Sequence, residues 1–259
     1  STGAIIAALL ALGKGVDDIH KEYRGKVPEV MRAYSRAGKS RALAKLAVSV
    51  FGDATFSDAR IGLGIVAARW DLETPMIFKR SVDQAHGRRG SFVPGFGCTI
   101  SEAVQASCSA YPFFERKVLT VQGSRVEVID GGYCANNPTL YAIADALMAL
   151  GREPASLRVI SVGVGSYPDP KRFGLGTLVG FLPSVQLLQK TLDINTNSMD
   201  RLRAILFKGI PTIRISDTFE KPEMATDFLE HDLRKLDMLY QQGRESFAAH
   251  ENQLKDFLL

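Results

Sequence analysis

Hydrophobic residues in the first fifty positions follow helical rather than strand periods. The run 4–12 is apolar on every face, which predicts a buried helix that ends at Gly13. Asp17 can begin a second helix that extends through Tyr23, because a side-chain carboxylate caps free N–H groups. The segment 26–47 continues with helical spacing and is strongly basic.

Strand patterns begin after position 60. The segments 62–70 and 76–78 are rich in β-branched and apolar residues, which predicts two strands. The segment 118–129 predicts a hairpin that turns at 122–125, and 157–164 predicts a buried strand closed by glycines.

Helices are predicted between and after these strands, at 100–107, 138–150 and 184–208, and a short strand at 210–215. Beyond position 226, four apolar side chains recur at spacings of four, three and four, which predicts an amphipathic helix that packs on the body. These are Leu229, Leu233, Leu236 and Tyr240. Strands that alternate with helices indicate an α/β layered fold with a largely parallel central sheet, and residues 1–259 are predicted to form a single domain.

Composition excludes several classes of protein. The net charge of +4 is too small to indicate a nucleic acid polymer as partner, although it is compatible with an anionic membrane surface. Cys98, Cys108 and Cys134 are odd in number and lack metal-site spacing, which predicts reduced thiols in a cytoplasmic protein without a metal or other cofactor. The sequence contains no run of about 18 apolar residues, so it predicts no membrane-spanning helix.

The first candidate for chemistry is the sequence Ser1-Thr2-Gly3 ahead of the apolar run. It matches the second half of a Gly-x-Ser-x-Gly nucleophile elbow, in which a serine lies at a sharp turn into a helix. We therefore expect Ser1 to be a nucleophile, and the strand and glycine before it to lie outside this sequence.

The second candidate is Asp130, which follows the apolar strand end Val128-Ile129 and precedes Gly131 and Gly132. Carboxylates at the carboxyl ends of strands in α/β sheets face the crevice where ligands bind. The alternative is structural, because Asp130 could instead cap the helix predicted to begin at Pro138 or form an Asx-turn.

Together these motifs and two further segments occur in a characteristic order. They are Ser1-Thr2-Gly3-Ala4, Ala106-Ser107-Cys108-Ser109-Ala110-Tyr111-Pro112-Phe113-Phe114, Asp130-Gly131-Gly132 with Asn136-Asn137-Pro138, and the strand end 157–165. The chain in this way resembles the patatin-like phospholipase family, closely over residues 1–165 and loosely beyond. The resemblance implies a three-layer patatin-like fold with the nucleophile at the start of a buried helix.

The resemblance also implies a lipid acyl hydrolase that cleaves phospholipid esters through a Ser1–Asp130 dyad and an acyl-enzyme. A serine hydroxyl needs a positioned base, and a crevice lined by Phe113, Phe114 and glycine backbone could desolvate the aspartate. Thr2, Gly3, Gly131 and Gly132 are expected to shape the site, with the Thr2 N–H as one oxyanion donor. The family's glycine-rich oxyanion loop is expected upstream of Ser1.

A weaker resemblance concerns the segment 191–215, which is similar to that of bacterial patatin-like effectors of anti-phage signalling. It implies activation by a cyclic dinucleotide, and it leaves open assembly as a homo-oligomer. Basic residues within 32–45 or 86–89 could then contact phosphates, and the sequence does not choose between them. The protein is expected to act peripherally at the membrane, where its phospholipid substrate lies.

Three alternatives remain open at this point. A histidine could complete a triad with Ser1 and Asp130, the four candidates being His20, His86, His231 and His250. Ser1 could be an N-terminal nucleophile that uses its own α-amine as base. The domain could also be a non-catalytic lipid-binding or ligand-binding module of the same fold.

Overall fold

The computed structural model describes residues 1–87, 89–168, 183–226 and 230–259, and within them α-helices flank two β-sheets. The predicted α/β architecture with a central sheet is confirmed. No helix in these ranges is both long and apolar enough to cross a membrane.

Three helices form the N-terminal part: α1 (Thr2–Ala11), α2 (Val16–Arg32) and α3 (Arg36–Phe51). Helix α2 is longer than the sequence predicts, because it continues through Pro28. Helix α3 begins at a standard cap, in which the Ser35 side chain accepts a hydrogen bond from Gly38 N. The basic segment 26–47 is therefore divided between two helices.

The prediction of a buried first helix is only half right. Ile5, Ala8, Leu9 and Ala11 are buried on one side of α1, whereas Ile6 and Leu10 are more than a third exposed on the other. A continuous run of apolar residues does not indicate which face of the helix is buried, because polar residues that would mark the exposed face are absent from it.

Four strands form the larger sheet in the order β2-β1-β4-β3. They are β1 (Gly64–Arg69), β2 (Thr74–Lys79), β3 (Lys117–Val121) and β4 (Ser124–Asp130). Every pairing is antiparallel, so the predicted largely parallel arrangement is wrong for this sheet. The reason is local, because the short turns after β1 and β3 can only connect antiparallel neighbours. Gln122 and Gly123 both have positive φ, as a two-residue hairpin turn requires.

A parallel pair does occur in the second sheet, between β5 (Val159–Val162) and β6 (Thr212–Ile215). The connection contains a long helix, Pro183–Leu206, and parallel neighbours need such a crossover.

The remaining helices are α4 (Ile100–Ser107), α5 (Gly132–Ala135), α6 (Thr139–Ala144), α7 (Pro183–Leu206) and α8 (Leu233–Leu258). Helix α4 has the predicted bounds and begins at a capping box between Thr99 and Glu102. Helix α6 continues as one π-helical turn, Asp145–Ala149.

The C-terminal amphipathic pattern forms α8, although its predicted member Leu229 lies outside the described residues. Leu233 and Leu236 are half-buried, and Tyr240 stacks on His20 of α2 with ring centroids 3.6 Å apart. Arg24 of α2 also forms an ion pair of 2.6 Å with Asp237. Helix α8 therefore packs at the edge of the molecule and buries no residue fully.

The main core lies between the four-stranded sheet and helices α1, α3 and α4. Its largest fully buried side chains include Phe56, Phe78, Ile65 and Ile100. Because α1 and α4 pack on β1 and on each other, the core fixes the start of α1 against the end of the neighbouring strand β4.

Candidate active site

Ser1 occupies the N-cap position of α1, ahead of a helix whose first N–H groups have no partner within the helix. The Ser1 carbonyl accepts a hydrogen bond of 2.8 Å from Ala4 N, which holds the residue at the helix start. A Cβ atom built on Gly3 would meet no atom within 4 Å, so the space beside this turn is open. The Thr2 and Gly3 N–H groups are thus available to a developing negative charge, which the helix dipole also favours.

Asp130 is the last residue of β4, and its register partner Ala67 lies on the adjacent strand β1. Its backbone N–H donates to the Ser109 carbonyl at 3.0 Å, and its Oδ1 accepts from Gly132 N at 2.7 Å. The side chain is only 9% exposed, and Oδ1 lies 3.7 Å from the backbone nitrogen of Ser1. The fold therefore brings together the two residues that the sequence predicts as a dyad.

The two glycines after Asp130 lie where the backbone passes close to neighbouring atoms. A Cβ atom on Gly131 would lie 2.1 Å from the carbonyl oxygen of Val66, so only glycine fits beside strand β1. A Cβ atom on Gly132 would lie 3.1 Å from Asp130 Oδ1, in the turn that supplies the hydrogen bond to this oxygen. Both glycines shape the site through the position of the Asp130 carboxylate.

Ser1 and Asp130 lie at one end of an apolar cavity of about 850 Å³, open mouth included. Its wall combines α1, α2 and α3 with the segment after α4 and one residue of α7. The apolar lining residues are Ile5, Val27, Val30, Met31, Leu43, Leu46, Ala110, Phe114 and Leu192. A polar pair at the end of an apolar cavity suits an ester whose hydrocarbon part lies in the cavity.

Sequence reasoning correctly placed Phe114 beside the site, but Phe113 does not line the cavity. It missed the walls that α2 and α3 contribute, although the apolar residues on these helices could have indicated a buried face. It also missed Tyr133, which lines the cavity and whose hydroxyl donates to the Tyr111 carbonyl.

Helix α7 closes the cavity through contacts with the segment after Asp130. Asn136 lines the cavity and donates from Nδ2 to Thr196 Oγ1 at 2.8 Å. One turn away, Leu192 lines the same cavity, and its Cδ2 would lie 3.3 Å from a Cβ on Gly132. The site and α7 are therefore connected by direct contact.

None of the four histidines lines the cavity. His20 stacks on Tyr240, and His86 lies 2.6 Å from Asp145, which also binds Lys79. His250 Nδ1 hydrogen-bonds with the Ser246 carbonyl. The geometry thus gives no support to a triad. Of the basic loop 86–89, His86 is held on the Asp145 carboxylate, and Arg88 lies outside the described residues.

The cysteines are all free, and Cys108 lines the cavity beside the dyad. Burial, together with the nearby Asp130 carboxylate, raises the pKa of Cys108 to about 12. Burial likewise raises the pKa of Cys98 to about 11. These thiols stay protonated at neutral pH, so Ser1 is the candidate nucleophile. Among the described residues, no group of three or more His, Cys, Asp and Glu could hold a metal ion.

Comparison with known proteins agrees with this geometry. The sequence profile of a family described as patatin-like phospholipase matches residues 1–143. A curated protein from Escherichia coli, named "cUMP-AMP-activated phospholipase", is 64% identical over 260 aligned residues. The alignment covers 100% of this chain and 81% of that protein.

Proposed function

Because the chain belongs to the patatin-like phospholipase family, we propose that it hydrolyses membrane phospholipids with Ser1 as nucleophile and Asp130 as base. The observation that carries this proposal is the position of the Asp130 carboxylate, 3.7 Å from the Ser1 nitrogen at the end of an apolar cavity. A buried acid beside a helix-start serine supports acyl transfer better than it supports simple ligand binding.

The proposed reaction has two halves. Ser1 Oγ attacks the ester carbonyl while its proton passes to the Asp130 carboxylate, and the carbonyl oxygen becomes an oxyanion near the start of α1. Collapse of this intermediate breaks the ester bond, and the departing alcohol takes the proton from Asp130. Water then attacks the acyl-enzyme with Asp130 again as base, which releases the fatty acid and restores Ser1.

The test of this dyad is fatty-acid release from phospholipid vesicles by the intact protein. We expect Ser1→Ala to reduce the rate by about 10³-fold or more, and Asp130→Asn by about 10²–10⁴-fold. Ser57→Ala and Asp53→Asn are matched controls, because both residues are exposed and lie away from the cavity. Full activity in either dyad variant would remove the proposal.

We propose further that a cyclic dinucleotide activates the enzyme, in line with the name of the E. coli relative. Such regulation fits a phospholipase of antiviral defence, since uncontrolled hydrolysis of the cell's own lipids would be harmful. Fatty-acid release measured with and without cUMP-AMP tests this point. Equal rates would argue against an activator of this class.

The substrate implies that the protein acts peripherally at a membrane surface. Tyr34, in the turn between α2 and α3, is fully exposed, and Trp70 is 44% exposed. The Arg36 guanidinium lies 5.6 Å from the centre of the Tyr111 ring, and Trp70 packs against the same ring. Exposed aromatic residues beside cations suit the interface between lipid headgroups and water.

The N-terminal-nucleophile alternative receives less support from the site. If Ser1 carried a free α-amine, burial would lower its pKa, but the neighbouring Asp130 carboxylate raises it, and the net direction is upward. A protonated amine cannot accept the serine proton. The non-catalytic alternative would leave the pairing of Ser1 with a buried carboxylate without a role.

A further inference from the structure

A second cavity lies on the other side of α3, between this helix, α4 and the segment that leads into β3. Its volume is about 680 Å³ with its open mouth. Three cations line it, Arg41, Arg116 and Lys117, together with the polar side chains of Ser40, Gln105 and Ser109. The proposed hydrolysis uses none of these side chains.

The charges in this cavity are only partly compensated. Glu115 is the one carboxylate in the lining, and Arg116 pairs at 2.9 Å with Glu127 outside it. Lys117 Nζ donates to the neutral Gln105 Oε1 at 2.8 Å, and within the described ranges it contacts no carboxylate. Arg41 is exposed, and among the described residues it forms no ion pair. The cavity therefore retains positive charge that an anionic ligand could neutralise.

We propose that this cavity binds the activating cyclic dinucleotide, with Arg41 and Lys117 on its phosphodiester groups. A cyclic dinucleotide carries two negative charges, and Arg and Lys donors form strong charge-assisted hydrogen bonds with phosphate oxygens. The water-accessible volume of about 320 Å³ lies at the lower end of the range of about 300–1,000 Å³ typical of small-molecule sites. The proposal rests on the proposed cyclic-dinucleotide activation and assigns a place to it.

A short series of contacts connects this cavity to the catalytic aspartate. Lys117 binds the Gln105 side chain, and the Gln105 carbonyl accepts a hydrogen bond of 2.7 Å from Ser109 Oγ. The Ser109 carbonyl in turn accepts from Asp130 N at 3.0 Å. A phosphate that draws Lys117 away from Gln105 therefore changes the packing of the α4 end on which Asp130 rests.

The wall between the two cavities provides a second connection. Leu43 of α3 lines both the cationic cavity and the apolar cavity that contains Ser1. Movement of α3 toward a ligand would shift this side chain and alter the space for the acyl chain. Both connections explain how occupancy of one cavity can change the rate in the other.

The experiment measures cUMP-AMP binding to the intact protein by isothermal titration calorimetry, which requires no hydrolysis. We expect Arg41→Gln and Lys117→Gln each to raise the Kd at least tenfold, and Arg41→Lys to restore most of the affinity. Lys45→Gln is the matched control, because Lys45 is exposed on the same helix but does not line the cavity. Arg41 makes no described ion pair, so its removal should leave the fold intact, and thermal unfolding checks this.

Measurements of fatty-acid release then test the proposed binding site separately from the proposed activation. In the Arg41→Gln variant, half-maximal activation should need at least tenfold more cUMP-AMP, while the maximal rate at saturation stays close to wild type. Unchanged Kd values in both variants would overturn the site. So would a variant that loses binding to phosphatidylglycerol vesicles but keeps its affinity for cUMP-AMP, since the cations would then serve lipid headgroups. If the wild-type protein bound cUMP-AMP but released no fatty acid, the proposed function would be rejected and the proposed binding site would not.

Discussion

Close contacts with backbone atoms determine the geometry around Asp130. Gly131 touches the backbone of β1 so closely that no side chain fits, and this contact fixes the direction in which the Asp130 carboxylate points. The groups that hold Asp130 are thus mainly backbone groups: the Ser109 carbonyl and the Gly132 N–H. Backbone contacts of this kind tolerate little displacement, because they involve packed segments rather than flexible side chains.

Gly131→Ala should therefore lower both stability and activity. A Cβ atom 2.1 Å from the Val66 oxygen forces β1 and β4 apart, and we expect a loss of about 2–4 kcal/mol in the free energy of unfolding. The matched control is Gly25→Ala, since Gly25 lies inside α2 with open space around it and should gain about 0.5–1 kcal/mol. Urea unfolding and fatty-acid release measure the two effects. Equal midpoints for both variants would contradict the explanation.

Cys108 offers a second residue-scale prediction. With a pKa of about 12, raised by burial, only about one thiol in ten thousand is a thiolate at pH 8. Iodoacetamide at pH 8 should therefore leave Cys108 unmodified and the activity intact, whereas all three cysteines should react in urea. Peptide mass spectrometry locates the label. Stoichiometric labelling of native Cys108 with loss of activity would show that the thiol is accessible and ionised.

At the scale of elements, helices α2 and α3 form the wall of the apolar cavity. Val30 and Met31 from α2 face Leu43 and Leu46 from α3 across the space that begins at Ser1. The polar half of the site comes from α1 and β4, so the reacting groups and the hydrocarbon site belong to different elements. Substitutions in the cavity wall should therefore change the preference for acyl-chain length without abolishing ester hydrolysis.

Leu46→Phe should shift the preference toward short acyl chains. The larger side chain fills part of the cavity, so we expect the ratio of kcat/KM for long over short acyl esters to fall about tenfold. Val48→Phe is the control, because Val48 is 58% exposed on the same helix. Nitrophenyl esters of increasing chain length provide the measurement. A uniform loss for all chain lengths would indicate damage to the fold instead.

The elements also show what sequence patterns can and cannot predict. The hairpin at β3 and β4 and the bounds of α4 followed from the pattern of apolar and turn residues, which is a local property. The antiparallel pairing of the strands could not be predicted in this way, because the spacing of apolar residues indicates a strand but not its partner. The proximity of Ser1 and Asp130 was predictable, since both residues lie in recognisable motifs. The cavity wall was not, since it depends on how α2 and α3 pair in space.

At the scale of the whole molecule, the charge distribution suits an anionic surface. The chain has 32 Lys and Arg against 28 Asp and Glu, Tyr34 and Trp70 are exposed, and the Arg116 guanidinium lies 5.0 Å from the centre of the Trp70 ring. Attraction between such a surface and anionic lipid is screened by salt, with a Debye length of about 10 Å at 0.1 M and about 3 Å at 1 M. Membrane binding should therefore depend on both lipid charge and ionic strength.

The Ser1→Ala variant, which we expect to be inactive, allows membrane binding to be measured without lipid breakdown. We expect it to cosediment with phosphatidylglycerol vesicles at low salt, and several-fold less at 1 M salt or with phosphatidylcholine. Tyr34→Ser should weaken binding further, whereas Val16→Ser, which removes another exposed apolar side chain on α2, should not. Salt-independent binding to both lipids would contradict an electrostatic interface.

The distance along the chain between Ser1 and Asp130 has a consequence for biosynthesis. The two residues are 129 positions apart, and the Asp130 carboxylate reaches Ser1 only when β4 has paired with β1 and Asp130 has docked on Ser109. A ribosome adds about 5–20 residues per second, so roughly ten seconds separate the appearance of the two residues during translation. In that interval the nascent polypeptide carries Ser1 without its proposed base, so we expect it not to hydrolyse membrane lipids.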